Sequence, residues 1–295
     1  MRILITGITG QVGFELLKTL KPLGQCIGVD RNTCDLSDQS ALRALIRRTQ
    51  PDVIVNPAAY TAVDKAESER ELAFAINREA PQILGEEAAR LNALVIHYST
   101  DYVFDGRKQS PYSEADLPNP QSVYGDSKWQ GEQALAQATS RHLILRTSWV
   151  LGTHGHNFAK TMLRLAAERD RLTVVADQWG APTSAYLLAD YTTQLITRYR
   201  TERDRFPMGT YHLTASGSTN WCDYAGFVLS EALTAGQQLK ATAQSIMPIT
   251  TADYPTPAQR PANSRLATEL FTQTFGLAPP PWQDGVRNVL HSLWT

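Results

Sequence analysis

Residues 2–14 read RILITGITGQVGF. Arg2 to Thr6 is a β-rich run, Gly7 to Gly13 is a glycine-punctuated turn, and Phe14, Leu16, Leu17 and Leu20 form an apolar stripe at helical spacing, stopped by Pro22 and Gly24. Strand, glycine turn and helix in that order predict the start of an open α/β sheet. The rhythm continues outward: strand 26–29, helix 37–48 with Leu42, Leu45 and Ile46 inward, strand 52–55, a helical stretch 67–91, strand 94–98, a long loop, a helix from Val123, and strand 142–145. Alternating strands and helices predict a doubly wound parallel sheet covered on both faces.

Beyond Trp149 the pattern loosens. Helices are predicted at 158–168, 185–199 and 221–233, with short strands at 172–175 and 211–213. The reading is a dinucleotide-binding domain over 1–150 and a smaller, mainly substrate-binding region over 151–295, with some segments returning to the first domain. The Pro-rich stretches 254–261 and 279–281 punctuate rather than tether.

The chain has 295 residues, 42% of them hydrophobic and 19% charged, which excludes disordered and low-complexity classes. With 28 basic against 29 acidic residues, no global field favours nucleic acid or an anionic membrane. Cys26, Cys34 and Cys222 make no CxxC pair, and their odd number suits a reducing compartment. The first apolar run is cut short by Gly7, and no run approaches the roughly 18 residues of a membrane span. A cytoplasmic protein without a membrane partner is expected.

Gly7, Gly10 and Gly13, with Gln11 and Val12 between them, form GxxGxxG where backbone can approach a pyrophosphate at a helix N-terminus. Asp30 closes the second predicted strand, placed to accept hydrogen bonds from an adenosine ribose. Arg31 beside it reads either as a grip for a 2′-phosphate or as a surface arginine, so NADPH and NADH both stay open. Asp35 and Leu36 either border the adenine or, for Asp35, cap a helix. Ala58, Ala59, Tyr60 and Thr61 follow the third strand at the carboxyl edge of the sheet, where backbone can pass close to the cofactor.

The fourth strand runs into Ser99, Thr100 and Asp101, and Tyr124 and Lys128 follow in YGDSK, one helical turn apart. An ammonium near the phenol is expected to lower its proton affinity and make Tyr124 a usable acid, with Thr100 a second donor to the same carbonyl oxygen and Lys128 also a holder of ribose hydroxyls. Arg260, in an otherwise uncharged Pro-rich stretch, reads either as a fork for a diphosphate or as a surface arginine. Trp149, just past the fifth strand, reads as core or as a ligand platform at the sheet edge.

GITGQVG, NPAAYTAVD, STDYVFDG and YGDSK together resemble the extended short-chain dehydrogenase/reductase superfamily. NPAAYTAVDKAE from Asn56, YGDSKWQGE from Tyr124, RTSWVLG from Arg146, DQWGAPT from Asp177 and RPANSRL from Arg260 narrow the resemblance to its dTDP-4-dehydrorhamnose reductase family. It implies a Rossmann-type fold and NADPH- or NADH-dependent reduction of the C4 ketone of a nucleotide sugar. It further implies Tyr124 as proton donor, Lys128 as its pKa partner, Thr100 as the carbonyl-orienting hydroxyl, and Asp101 and Trp149 as substrate contacts. Two other readings share the scaffold: a nucleotide-sugar dehydratase or epimerase, against which Tyr102 stands where dehydratases carry a glutamate, and a non-catalytic regulatory homologue, against which the intact Thr100, Tyr124 and Lys128 stand.

Some family members gather C-terminal carboxylates around a divalent metal at a dimer interface. Here Tyr186 stands in place of one, and the tail 289–295 carries no acid, so no metal is expected and the chain is read as a monomer or weak homodimer. His154 and His156, two apart in a glycine-flanked loop, read as solvated rather than as a ligand pair.

Overall fold

Ile3 and Ile5 are buried in the apolar cluster on one face of the first strand, and Leu4 in the cluster on the other. This period-two division sets up a sheet packed on both sides. The structure, a computed structural model, describes residues 1–294; Thr295, the end of the expected second region, lies outside the described residues.

The elements run β1 (Arg2–Thr6), α1 (Gln11–Thr19), β2 (Gln25–Val29), α2 (Gln39–Thr49), β3 (Val53–Asn56), α3 (Val63–Ala66), α4 (Arg70–Phe74), a π-helical turn (Ala75–Glu79), α5 (Ala80–Leu91), β4 (Leu94–Thr100), α6 (Val123–Ala138) and β5 (His142–Thr147). They continue with β6 (Val150–Leu151), α7 (Phe158–Glu168), β7 (Leu172–Val175), β8 (Trp179–Gly180), β9 (Thr183–Ser184), α8 (Ala185–Glu202), β10 (Gly209–His212), β11 (Thr219–Asn220), α9 (Trp221–Thr234), β12 (Ile246–Ile249), α10 (Glu269–Phe275) and α11 (Trp282–Trp294).

The main sheet is parallel throughout, in the order β10-β5-β4-β3-β1-β2. The strand after β1 lies on one side of it and β3 on the other, so a topological switch point opens between β1 and β3 at their carboxyl ends. Helices α2, α5 and α6 cover one face. The other carries α1 and α8, with α7, α9 and α11 extending the same apolar cluster into the second region. That region also supplies β10, paired with β5, and three two-stranded ribbons, β6 with β9, β7 with β12 and β8 with β11.

The Rossmann-type sheet is as expected, and the bounds of β1, α7 and β7 coincide with their sequence reading. The helical stretch read over 67–91 is continuous from Arg70 to Leu91, but its turn Ala75–Glu79 is wound more widely, as a π-helix. There Asn77 accepts from Tyr60 N at 2.8 Å and donates to the Tyr60 carbonyl and to Ser127 Oγ, tying the loop after β3 to α6. Gly131 of α6 lies so close that a Cβ would overlap the Asn77 carbonyl.

Candidate active site

Helices α2, α6, α7, α8 and α9 begin with an Asp, Ser or Asn whose side chain accepts a first-turn N–H; α1 begins at Gly10 with no side-chain cap. Its first N–H groups are therefore available to an anion. The glycines leave room for one. Gly7 sits at φ +60° with its Cα face 2.9 Å (for a built Cβ) from the Ala58 methyl, and a Cβ on Gly13 would overlap the Gly7 carbonyl.

Above this turn opens a cavity of about 630 Å³. It brings together every residue read as a cofactor contact: the glycine turn with Gln11 and Val12, Asp30 and Arg31, Asp35 and Leu36, the segment Ala58 to Thr61, Ser99, Tyr124 and Lys128. Ser99 Oγ and Thr147 Oγ1 in its wall are buried with no hydrogen-bond partner among the described residues. Free backbone donors at one end and unpartnered hydroxyls at the other fit a dinucleotide laid across the switch point.

At the end of the cavity beside β2, Asp30 Oδ1 accepts from Thr33 N at 2.9 Å and Thr33 Oγ1 at 2.6 Å, and these bonds hold its pKa below the usual carboxylate value. Asp35 is a turn-former: its Oδ1 accepts from Ser37 N and Oγ, while the cap of α2 falls to Asp38, three residues on. Arg31 is exposed, its Nε 3.5 Å from Asp35.

At the other end, Ser122 caps α6 and sets its first turn, so Tyr124 and Lys128 project from one face toward the carboxyl end of β4. Lys128 is fully buried. Its Nζ donates to the Tyr98 carbonyl at 2.6 Å and lies 3.2 Å from His97 Nε2, and burial lowers its pKa to about 8 against the pull of Glu132. The expectation that this ammonium would lower the phenol is corrected here. Desolvation raises Tyr124 to about 12, outweighing the Thr100 hydroxyl beside it, while the Lys128 nitrogen is engaged by β4. A phenol raised in this way stays protonated at neutral pH.

Thr100 ends β4 and caps the short turn Asp101–Val103, accepting from Tyr102 N at 3.2 Å and donating to Asp101 Oδ1 at 3.1 Å. Asp101 is buried, which raises its carboxyl to about 6, and its Oδ2 has no partner among the described residues. Tyr102 meets Tyr124 edge to face at 5.4 Å.

The four residues read as substrate contacts, Thr100, Asp101, Trp149 and Arg260, do not line the dinucleotide cavity. Trp149 holds a left-handed backbone, φ +49°, and stacks on Trp221 of the second region. Gly180 lies under its ring, where a built Cβ would come within 2.5 Å of the indole. Arg260 is fixed by Asp64 of α3 at 2.7 Å; its other terminal nitrogen is buried without a partner among the described residues.

Sequence reading assigned no role to Asn77, His97 and Trp221, which touch the site residues Tyr60, Lys128 and Trp149 in turn; Asn56, at the end of β3, meets His97. Asn56 is the one polar residue of β3 and His97 follows three apolar residues in β4, a local sign that each has a buried partner. The loop after Gly152, read as solvated, is exposed at Gly155 and His156 and also touches the glycine turn: His154 Nε2 is 3.0 Å from the Thr9 carbonyl with its ring stacked on Phe14, and His156 lines the cavity. Among the described residues, no group of three or more His, Cys, Asp or Glu side chains is placed to share a metal ion.

The family model described as RmlD substrate binding domain matches residues 1–294. The dTDP-4-dehydrorhamnose reductase of Escherichia coli (strain K12) is 49% identical over 299 residues, covering 100% of this chain and 99% of that protein. Among solved structures, the dTDP-4-dehydrorhamnose reductase of Clostridium acetobutylicum superposes with a TM-score of 0.92 at 35% identity, each chain fully covered. The Bacillus anthracis enzyme in complex with NADP gives 0.90 at 32%, covering 99% of both chains. A Thermus thermophilus UDP-glucose 4-epimerase shares the fold at 18% identity, with a TM-score of 0.78 over 100% of this chain and 99% of that one.

Proposed function

We propose, from the premise that this chain belongs to the dTDP-4-dehydrorhamnose reductase family, that it reduces the C4 ketone of dTDP-4-dehydro-L-rhamnose to give dTDP-L-rhamnose, with NADPH or NADH as reductant. The observation that carries the reading is the placement of a protonated Tyr124, with Thr100 beside it, at the wall of a cavity built for a dinucleotide.

The uncapped N-terminus of α1 and the glycine turn would hold the pyrophosphate, Asp30 the adenosine ribose, and Lys128 the ribose nearer the reacting carbon. When bound, the reduced nicotinamide supplies the hydride for the ketone carbon. Tyr124 gives its phenolic proton to the ketone oxygen as negative charge develops there, a general-acid effect worth roughly a hundredfold to ten-thousandfold. Thr100 Oγ1 orients the same oxygen. Asp101, Trp149 and Arg260 are assigned to the sugar nucleotide, Arg260 through its unpartnered guanidinium nitrogen. Residues 1–150 carry the dinucleotide and 151–295 mainly the substrate, with β10 and α8 contributing to the first body.

No helix among the described residues is long and apolar enough to cross a membrane. We assign the enzyme to the cytoplasm, as a monomer or weak homodimer whose only partners in turnover are the nucleotide sugar and the cofactor, with no role for nucleic acid. The test is loss of reduced-nicotinamide absorbance when the purified protein meets dTDP-4-dehydro-L-rhamnose, with NADPH and NADH in parallel and no added metal. Oxidation that depends on the sugar supports the reading; cofactor that binds but is not consumed overturns it.

A further inference from the structure

Lys128 does not end the polar contacts beneath the cavity. A line of side chains continues from it across the carboxyl edge of the sheet: Lys128 Nζ to His97 Nε2 at 3.2 Å, His97 Nδ1 to Asn56 Nδ2 at 2.9 Å, and Asn56 Oδ1 to Thr6 Oγ1 at 2.5 Å. It passes from α6 through β4 and β3 to β1, and all four residues are buried. His97 is held neutral: burial and the neighbouring lysine push its pKa well below the usual imidazole value.

A neutral imidazole has one donor and one acceptor, so the direction of the whole line depends on its tautomer. With Asn56 Nδ2 facing His97, Nδ1 accepts and the proton lies on Nε2, which then donates to Lys128; only an amine can accept it. A half-turn of the Asn56 amide presents Oδ1 to Nδ1–H, freeing Nε2 to accept from a Lys128 ammonium. Thr6 Oγ1 can donate in the first arrangement and accept in the second. Each arrangement satisfies the whole line, and the two differ in the protonation state of Lys128.

We propose that His97 is a positioning residue for Lys128, forming with Asn56 and Thr6 a reversible hydrogen-bond line that holds the lysine nitrogen in place both as ammonium and as amine. The inference rests on the proposed reductase reading for its catalytic consequence, but not for its effect on cofactor binding. The titratable and charged groups around Lys128 are His97 from β4, Tyr124 and Glu132 from its own helix, and Arg146 from β5, which Glu132 engages at 2.6 Å. Asp101, from the turn after β4, acts on Tyr124. His97 is the neighbour able to change from acceptor to donor as Lys128 loses its proton.

The test compares His97→Gln, whose longer amide reaches the position of Nε2, with His97→Asn, whose shorter one reaches only that of Nδ1. Two pH titrations are read on each purified protein: NADPH affinity by quenching of protein fluorescence, and kcat for the sugar ketone. The line meets both forms of Lys128, but its charge-assisted contact to the ammonium is the stronger of the two, so losing the line lowers the lysine pKa. His97→Asn should move the alkaline midpoint of both titrations down by about one pH unit, and His97→Gln should restore it. An unchanged midpoint in His97→Asn overturns the proposal. So does a uniform fall in kcat at a fixed midpoint accompanied by a lower melting temperature, which is what a merely structural histidine would produce. If wild type binds NADPH but leaves the sugar unreduced, the reductase reading fails while the binding midpoint still tests the line.

Discussion

The indole of Trp149 lies face to face with that of Trp221, ring centroids 3.6 Å apart and planes 14° from parallel. One ring follows β5 of the main sheet and the other begins α9, so the stack joins these two elements. It also holds Trp149 in a left-handed backbone conformation that a bulky residue rarely adopts unaided.

Removing the partner should therefore weaken the sugar site and spare the cofactor site. Trp221→Ala forfeits a stack worth about 0.5 to 1.5 kcal/mol beyond its buried area, and KM for the nucleotide sugar should rise by roughly threefold to tenfold. NADPH affinity, measured by fluorescence, should stay at the wild-type value.

Tyr124→Phe removes the hydroxyl proposed as proton donor and keeps the ring that meets Tyr102. Steady-state assays should show kcat reduced by about a hundredfold to ten-thousandfold. Direct titration should show NADPH still bound, and normal turnover in this variant would remove Tyr124 from the mechanism.

Gly13→Ala places a methyl on the Gly7 carbonyl, and both are backbone-anchored, so the turn itself has to move. Cofactor binding should be lost in calorimetry. Far-ultraviolet circular dichroism should remain that of the wild type, because the overlap is confined to the turn before α1.

Glu87 of α5 has a buried side chain and receives Arg43 at 3.0 Å and Arg47 at 2.7 Å from α2, with Arg90 at 3.4 Å. These guanidiniums hold its carboxyl at about 2, below the ordinary 4.5. A lowered folded-state pKa means that the stabilisation is complete above the unfolded value and is lost as pH falls from there through the folded one. The melting temperature of wild type should drop between about pH 5 and pH 2 more steeply than that of Glu87→Gln, which should start a few degrees lower at neutral pH. Parallel curves would show that Glu87 does not contribute to acid sensitivity.

What the sequence by itself determined is what neighbours along the chain decide. The alternation of Ile3, Leu4 and Ile5 makes a two-faced strand, the glycines before Phe14 make an open turn, and Ser122 starts a helix that brings Tyr124 and Lys128 to one face, all through periods of two and 3.6 residues and through capping. The same local logic missed the π turn at Ala75–Glu79, because its extra residue answers to Tyr60 and Ser127, distant in sequence. Only the tertiary structure decided that His212 and its strand join β5, that Trp149 finds Trp221, and that Lys128 is engaged by Tyr98 and His97 while the Tyr124 phenol is raised rather than lowered. Proton affinity depends on how much water is excluded and which charges remain nearby, and both are properties of the packed site, not of the spacing YxxxK.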